Sequence, residues 1–238
     1  MKISLCIPMY NESAVIEETA RRLSSYMQEH FDDYEILFCD DGSRDGCGDL
    51  VRALDLPHIT VIGDGQNRGK GYAVRTAMLS ATGDVRIFTD ADLAYGTDVI
   101  GRLVDTFKQN PDADLVVGSR NIQKDGYEGY TFMRRVASRA YIRLLSLVGG
   151  FRLSDSQCGC KAFAKRAAEE IFSKCEINGF AFDFEALLWA IELEKKILEM
   201  PVKVINHGDS KVRLIRESVR MLRDLRKIKK KIKKAVKS

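Results

Sequence analysis

The chain is poor in the features that mark membrane-spanning, secreted and repeat proteins. No apolar run in its 238 residues approaches the roughly 20 needed to cross a bilayer. The opening Met1-Lys2-Ile3-Ser4-Leu5-Cys6-Ile7-Pro8 is too short, and too soon broken by Pro8, for a signal peptide. It reads as a first strand. There are no internal repeats and no low-complexity linker. Only Cys158 and Cys160 of the six cysteines lie close together. Cys-x-Cys with no companion His or Cys pair is a poor zinc signal. Buried, reduced thiols in a cytoplasmic protein are expected instead.

What is present is an ordinary globular balance, 45% hydrophobic and 30% charged, at a length that suits one large domain or two small ones. The formal net charge of +4 hides an asymmetry. Residues 211–238 carry thirteen Lys/Arg against two acids, so the rest of the chain is net acidic. An acidic body with a basic tail predicts a polyanionic surface as partner.

Periodicity predicts alternating strands and helices through the first half. Strands are expected at 2–9, 34–39, 59–62, 85–89 and 115–118. Helices are expected at about 15–28, 46–54, 72–81 and 98–110. Asn11 or Ser13 would cap the first helix, with Glu17 and Glu18 in its first turns. This alternation predicts a mostly parallel sheet with helices on both faces. The second half is less regular. A mobile polar loop is expected at 124–130 and a basic amphipathic helix at 131–147. A polar turn follows at 154–161, then an apolar segment, a helix at 181–194 and a strand at 197–205. Pro201 in that strand suggests an edge or bulge.

The chemistry-bearing residues gather at strand ends. Asp90 and Asp92 follow the fourth strand, in Arg86-Ile87-Phe88-Thr89-Asp90-Ala91-Asp92. A lone Asp-x-Asp is most often a solvated loop. Yet Asp40 and Asp41 end the second strand, and in parallel sheets ligands bind beyond the carboxyl ends of strands. Two neighbouring acids repel, and Mg²⁺ or Mn²⁺ shared with substrate phosphates relieves that repulsion. Asn67-Arg68-Gly69-Lys70-Gly71 opens a helix. Two glycines and two cations there suit either a phosphate or a plain solvated turn.

These segments together resemble family 2 inverting glycosyltransferases of the GT-A nucleotide-sugar-binding fold. The matching pieces are Ile7-Pro8-Met9-Tyr10-Asn11-Glu12, Asp40-Asp41-Gly42-Ser43, Asn67-Arg68-Gly69-Lys70-Gly71 and Asp90-Ala91-Asp92. Asp155-Ser156-Gln157-Cys158-Gly159-Cys160-Lys161 and Gly208-Asp209-Ser210-Lys211 are similar to the branch that acts on polyprenyl phosphates, the dolichyl-phosphate β-glucosyltransferases in particular. The usual Gln-Cys-Gly-Phe-Lys of that branch reads Gln-Cys-Gly-Cys-Lys here.

The resemblance implies an α/β GT-A domain over 1–210. Residues 1–120 would bind the nucleotide-sugar and 121–210 the acceptor, ahead of a basic helix at 211–238. It implies UDP-glucose as donor and Mg²⁺ or Mn²⁺ held by Asp90 and Asp92. Asp41 would accept the uracil N3–H, and Pro8, Tyr10 and Glu12 would frame the nucleoside. Lys70, Ala91 and Arg120 would contact the donor, while Lys211 and Arg213 would close over the diphosphate. Asp155 would position the acceptor or act as base. A polyprenyl phosphate is already ionised, whereas a sugar hydroxyl needs help to lose its proton. The rival acceptor is a saccharide or glycolipid hydroxyl, served by a soluble family 2 enzyme. A third reading is a nucleotide-sugar or nucleic-acid binding protein without turnover.

The last helix, expected from about 212, carries an apolar stripe through Leu214, Leu222, Leu225, Ile228, Ile232 and Val236, with Lys and Arg on its other faces. Such a helix suits an anionic membrane surface. The scarcity of aromatics in it argues against nucleic acid. The expected location is the cytoplasm, peripherally on the inner face of a membrane.

Overall fold

The computed structural model describes residues 1–123, 126, 142, 150, 153–205, 227, 228 and 230–232. The chain begins with β1 (Ile3–Met9), whose seven side chains are all buried, as a central parallel strand requires. Next come α1 (Ile16–His30), β2 (Tyr34–Asp40), α2 (Cys47–Ala53) and β3 (Ile59–Ile62). They are followed by α3 (Lys70–Ser80), β4 (Val85–Thr89), α4 (Asp98–Gln109) and β5 (Leu115–Ser119). After residue 150 come β6 (Cys160–Ala164), α5 (Lys165–Phe172), α6 (Phe182–Glu192) and β7 (Ile197–Pro201).

The seven strands form one sheet in the order β3-β2-β1-β4-β6-β5-β7. Among the described strands, β6 alone runs antiparallel to its neighbours, β4 and β5. Two apolar layers cover the sheet. Ile16, Ala20 and Leu23 of α1, Val51 of α2, and Ile100, Leu103 and Val104 of α4 pack on one face. Val74 and Ala77 of α3, Ile171 and Phe172 of α5, and Leu187 and Trp189 of α6 pack on the other. The expected parallel α/β architecture is therefore what the chain adopts. Since β1, β2, β4 and β5 all point one way, Asp40, Thr89 and Ser119 end on one edge.

Three expectations need correction. The polar turn at 154–161 gives up its last two residues to β6, an unexpected strand in the middle of the sheet. The apolar segment after it includes α5. The last strand stops at Pro201 rather than at 205. Asn11 and Ser13 do not cap α1, which starts after Val15 with no side-chain cap. They tie the end of β1 to the loop after β2 instead: Asn11 Oδ1 accepts the Arg44 N–H (2.9 Å), and the Ser13 N–H donates to Asp45 Oδ2 (2.8 Å).

The expected helix at 131–147 lies outside the described residues, apart from Ile142. The loop at 124–130 does so apart from Gly126, and Gly208 to Lys211 and Arg213 do so entirely. Of the basic helix at 211–238, only 227, 228 and 230–232 are described. Ile228 and Ile232 of its apolar stripe are 2% and 5% exposed, buried within the α3–α5–α6 layer. All six cysteines are buried and unbridged.

Candidate active site

Thr89 ends β4 in the middle of the sheet, and the chain then turns through Asp90, buried Ala91 and Asp92. The Leu93 N–H closes the turn on the Asp90 carbonyl (3.1 Å), and the Ala94 N–H donates to Asp92 Oδ1 (3.1 Å). Leu93 holds a left-handed φ of 47°, strained for a branched side chain, while its side chain is buried in the core. The turn is thus fixed from below by packing, with both acids half-buried.

Lys70, the first residue of α3, places Nζ 2.6 Å from Asp90 Oδ1. Burial works to lower the Lys70 pKa, but the charge and hydrogen bond of Asp90 outweigh it, and the net shift is upward. Burial raises the Asp92 pKa, and the neighbouring Asp90 charge raises it further. Two crowded carboxylates, one of them short of compensation, fit a divalent cation that fills the rest of its shell with phosphate oxygens and water. Among the described residues no group of three or more His, Cys, Asp or Glu forms a metal cage. Gly159 abuts this pair, and a Cβ there would collide with Asp90 Oδ2.

On the β1–β2 side, Asp41 is 4% exposed. Its Oδ1 accepts the N–H groups of Arg68 (2.8 Å) and Gly69 (3.0 Å), and its Oδ2 accepts Gly69 again (2.8 Å). Burial pushes its pKa up, and those amides only partly offset the shift. Pro8 is buried in β1 and Glu12 is half-buried, while Tyr10 is 43% exposed just beyond the strand.

The Gly-rich loop is built differently from a phosphate cradle. The Arg68 and Gly69 amides go to Asp41, the Gly71 amide goes to the Asn178 carbonyl (2.8 Å), and the Tyr72 amide is shared between the carbonyls of Gly69 (2.9 Å) and Asn178 (3.4 Å). A Cβ on Gly69 or Gly71 would strike the carbonyl oxygen of Asn178 or Ile177. These glycines therefore admit residues 177–179 against the start of α3, and the side chain of Lys70 is what the loop presents to the acid pair.

Arg120 and Asp155 form a second cluster beyond β5. The guanidinium grips the carboxylate through Nε–Oδ2 (2.6 Å) and Nη2–Oδ1 (2.9 Å), and Asp155 is fully buried. Its oxygens also accept the backbone N–H groups of Arg120 (3.2 Å) and Gln157 (3.1 Å). Glu199 of β7 accepts the Ser154 N–H (2.8 Å) and hydroxyl (2.6 Å), which fastens the same turn to the sheet.

Sequence reasoning missed the residues between the two clusters. Lys161 of β6 is fully buried, with Nζ 2.6 Å from Asp183 Oδ1 and 2.7 Å from the Cys158 carbonyl. Burial raises the Asp183 pKa, against the pull of Lys161 and of Lys70. Lys161 stood in the quoted Gln-Cys-Gly-Cys-Lys segment, a signal that it sits near the site. Nothing local marks Asp183 as its partner.

Residues 4–172 match the family profile Glycosyl transferase family 2. A dolichyl-phosphate beta-glucosyltransferase of Trichomonas vaginalis is 30% identical over 87% of this chain and 65% of its own length. The chain thus spans slightly less than two thirds of that relative. A dolichyl-phosphate beta-glucosyltransferase of Saccharomyces cerevisiae is 29% identical over 94% of this chain and 72% of its own length. Among solved structures, glucosyl-3-phosphoglycerate synthase of Mycobacterium tuberculosis, in complex with Mn²⁺, uridine diphosphate and phosphoglyceric acid, superposes with a TM-score of 0.70. It is 19% identical, with 97% of this chain and 78% of that chain covered, a likeness of fold.

Proposed function

The chain belongs to glycosyl transferase family 2, and on that premise we propose that it is an inverting enzyme that carries glucose from UDP-glucose to a polyprenyl phosphate. The observation that carries this reading is the Lys70–Asp90–Asp92 group on the carboxyl edge of the sheet. The relatives' names supply the acceptor class, since the two reported above are dolichyl-phosphate glucosyltransferases.

Each residue then has a task. Asp41, with three N–H bonds on a carboxylate that has about four lone-pair sites, keeps capacity for the uracil N3–H. Pro8, Tyr10 and Glu12 frame the nucleoside. Asp90 and Asp92 hold Mg²⁺ or Mn²⁺, which when bound would neutralise charge on the departing diphosphate. Lys70 shields Asp90 before the donor arrives and turns to the diphosphate afterwards, with Ala91 as the buried floor of the turn. Lys211 and Arg213, outside the described residues, would close over the diphosphate.

Asp155 directs the Arg120 guanidinium rather than taking a proton, because Arg120 and two backbone amides already occupy both of its oxygens. An ionised phosphate acceptor needs no base, so this assignment agrees with the acceptor class. The proposed division places catalysis in 1–210, donor half 1–120 and acceptor half 121–210, and a basic segment at 211–238. Among the described residues no helix is long and apolar enough to cross a membrane. Docking on anionic lipid would draw on the Lys and Arg of 211–238, each worth on the order of 1 kcal/mol before screening, and not on the buried Ile228 and Ile232.

The test is incubation with UDP-glucose, a polyprenyl phosphate and Mn²⁺. A β-linked lipid product is expected. Transfer only to a saccharide hydroxyl would replace the acceptor, a response to GDP-mannose alone would replace the donor, and an α-linked product would exclude inversion. Co-sedimentation with anionic liposomes that fades with salt is expected, and salt-independent binding would remove the electrostatic account of docking.

A further inference from the structure

The donor-facing start of α3 is held by a loop, residues 175–179, that a single buried carboxylate organises. Glu185, in the first turn of α6, is 1% exposed. One oxygen, Oε2, accepts the N–H groups of both Glu176 (2.8 Å) and Ile177 (2.6 Å). The Asn178 carbonyl receives the Gly71 amide (2.8 Å) and a longer, shared bond from the Tyr72 amide (3.4 Å), whose shorter bond goes to the Gly69 carbonyl (2.9 Å). Arg75 of α3 adds bonds to the Cys175 carbonyl (3.1 Å) and to Asn178 Oδ1 (3.0 Å). From Gly71 the chain is one residue from Lys70, and hence from Asp90.

The other side of Glu185 faces the C-terminal segment. Lys231 Nζ lies 3.8 Å from Glu185 Oε1, 2.9 Å from Glu176 Oε2 and 3.2 Å from the Lys174 carbonyl. It sits 6.0 Å over the Trp189 ring. Ile228 and Ile232, one turn apart on either side, are buried in the same layer.

We propose that Glu185 is a positioning residue of the donor site, and that Lys231 supports it, so that the C-terminal segment helps set the placement of Lys70. The route is contiguous: Lys231 to Glu185, Glu185 to the 176–177 amides, the Asn178 carbonyl to the Gly71 and Tyr72 amides, and the first residue of α3 to Asp90. A carboxylate suits this place because it accepts two amides at one oxygen while the other faces a cation. Gly69 and Gly71 suit it because any side chain would push the loop away. The basic segment thereby has a second use besides attraction to anionic surfaces.

The donor arm of the claim rests on the UDP reading of the site, so the experiment has one arm with ligand and one without. In the first, UDP binding with Mn²⁺ is measured by calorimetry. E185Q keeps an acceptor but loses the charge, and the UDP Kd is expected to rise about fivefold, the loss of part of a charge-assisted hydrogen bond. K231M is expected to raise it about twofold, and K231R to restore it.

In the second arm, amide hydrogen exchange is followed without ligand. Gly71 and Tyr72 should exchange faster in E185Q, while Phe38 in the middle of β2 should not change. Uniform acceleration that includes Phe38 would mean that Glu185 only stabilises the fold, and would overturn the proposal. Unchanged exchange at Gly71 and Tyr72 would overturn it as well. If the wild-type protein does not bind UDP, the donor reading falls, and the exchange arm still decides the role of Glu185.

Discussion

Two carboxylate clusters share one edge of the sheet and are treated in opposite ways. At the end of β5, Asp155 is sealed: a bidentate guanidinium and two backbone amides meet its oxygens. At the end of β4, the two acids stand one residue apart: Lys70 meets Asp90, while burial and the Asp90 charge hold the Asp92 pKa up. A satisfied buried ion pair fixes geometry, and breaking it is costly. A pair that repels itself stores a demand for positive charge, which a ligand can meet. On the proposed reading, the contrast separates a residue that places others from a residue that binds.

That contrast can be broken by experiment, most forcefully at Asp92. D92N should reduce transfer about a thousandfold, roughly 4 kcal/mol of transition-state stabilisation, with Tm unchanged or higher because a repelling charge is gone. Loss of stability with activity retained would reverse the assignment. D155N should do the opposite first, lowering unfolding free energy by about 3 kcal/mol in denaturant titrations, since it removes the carboxylate charge that the 13%-exposed Arg120 side chain grips.

Metal stabilisation sharpens the difference further. A raised folded pKa means that the folded state holds the Asp92 proton more tightly than the unfolded chain does. Its stabilising contribution is present at low pH and lost as pH rises through the folded value. On the proposed reading Mn²⁺ needs the ionised pair, so at about 100 times its Kd it should stabilise by about 2.7 kcal/mol near neutral pH and by less at a lower pH, where the pair takes up a proton. An equal thermal shift at both values would place the ion elsewhere. The smallest effect belongs to the exposed Arg52–Asp49 pair of α2: R52A should change stability by under about 0.5 kcal/mol.

Most of the first half was legible because each element carries its own local period. β1, β2 and β4 are short apolar runs, and acids punctuate their ends. β6 was not legible. Cys160-Lys161-Ala162-Phe163-Ala164 follows a polar turn, and both of its faces are buried, so no alternation marks it. Its charged member is fully buried, and its counter-charge, Asp183, lies more than twenty residues on. The site divides along the same line. Asp41, Lys70, Asp90 and Asp92 could be read from adjacent motifs, whereas Lys161–Asp183 and Glu185 with its loop exist only through long-range pairing. The apolar stripe at 228 and 232 was legible as a stripe, but which surface it covers was not. Periodicity reports that a face is apolar and not what meets it.

The place of β6 has a consequence for synthesis on the ribosome. β4, which delivers the acid pair, hydrogen-bonds to β1 on one side and to β6 on the other. Until residues 160–164 have emerged, that second side is an unpaired strand edge, on a strand whose five side chains are all buried in the folded chain. The nascent first half therefore has an open flank during translation, which β6 closes when it pairs antiparallel with β4. A gene fragment that stops after β5 would leave this flank open for good and would be prone to aggregate.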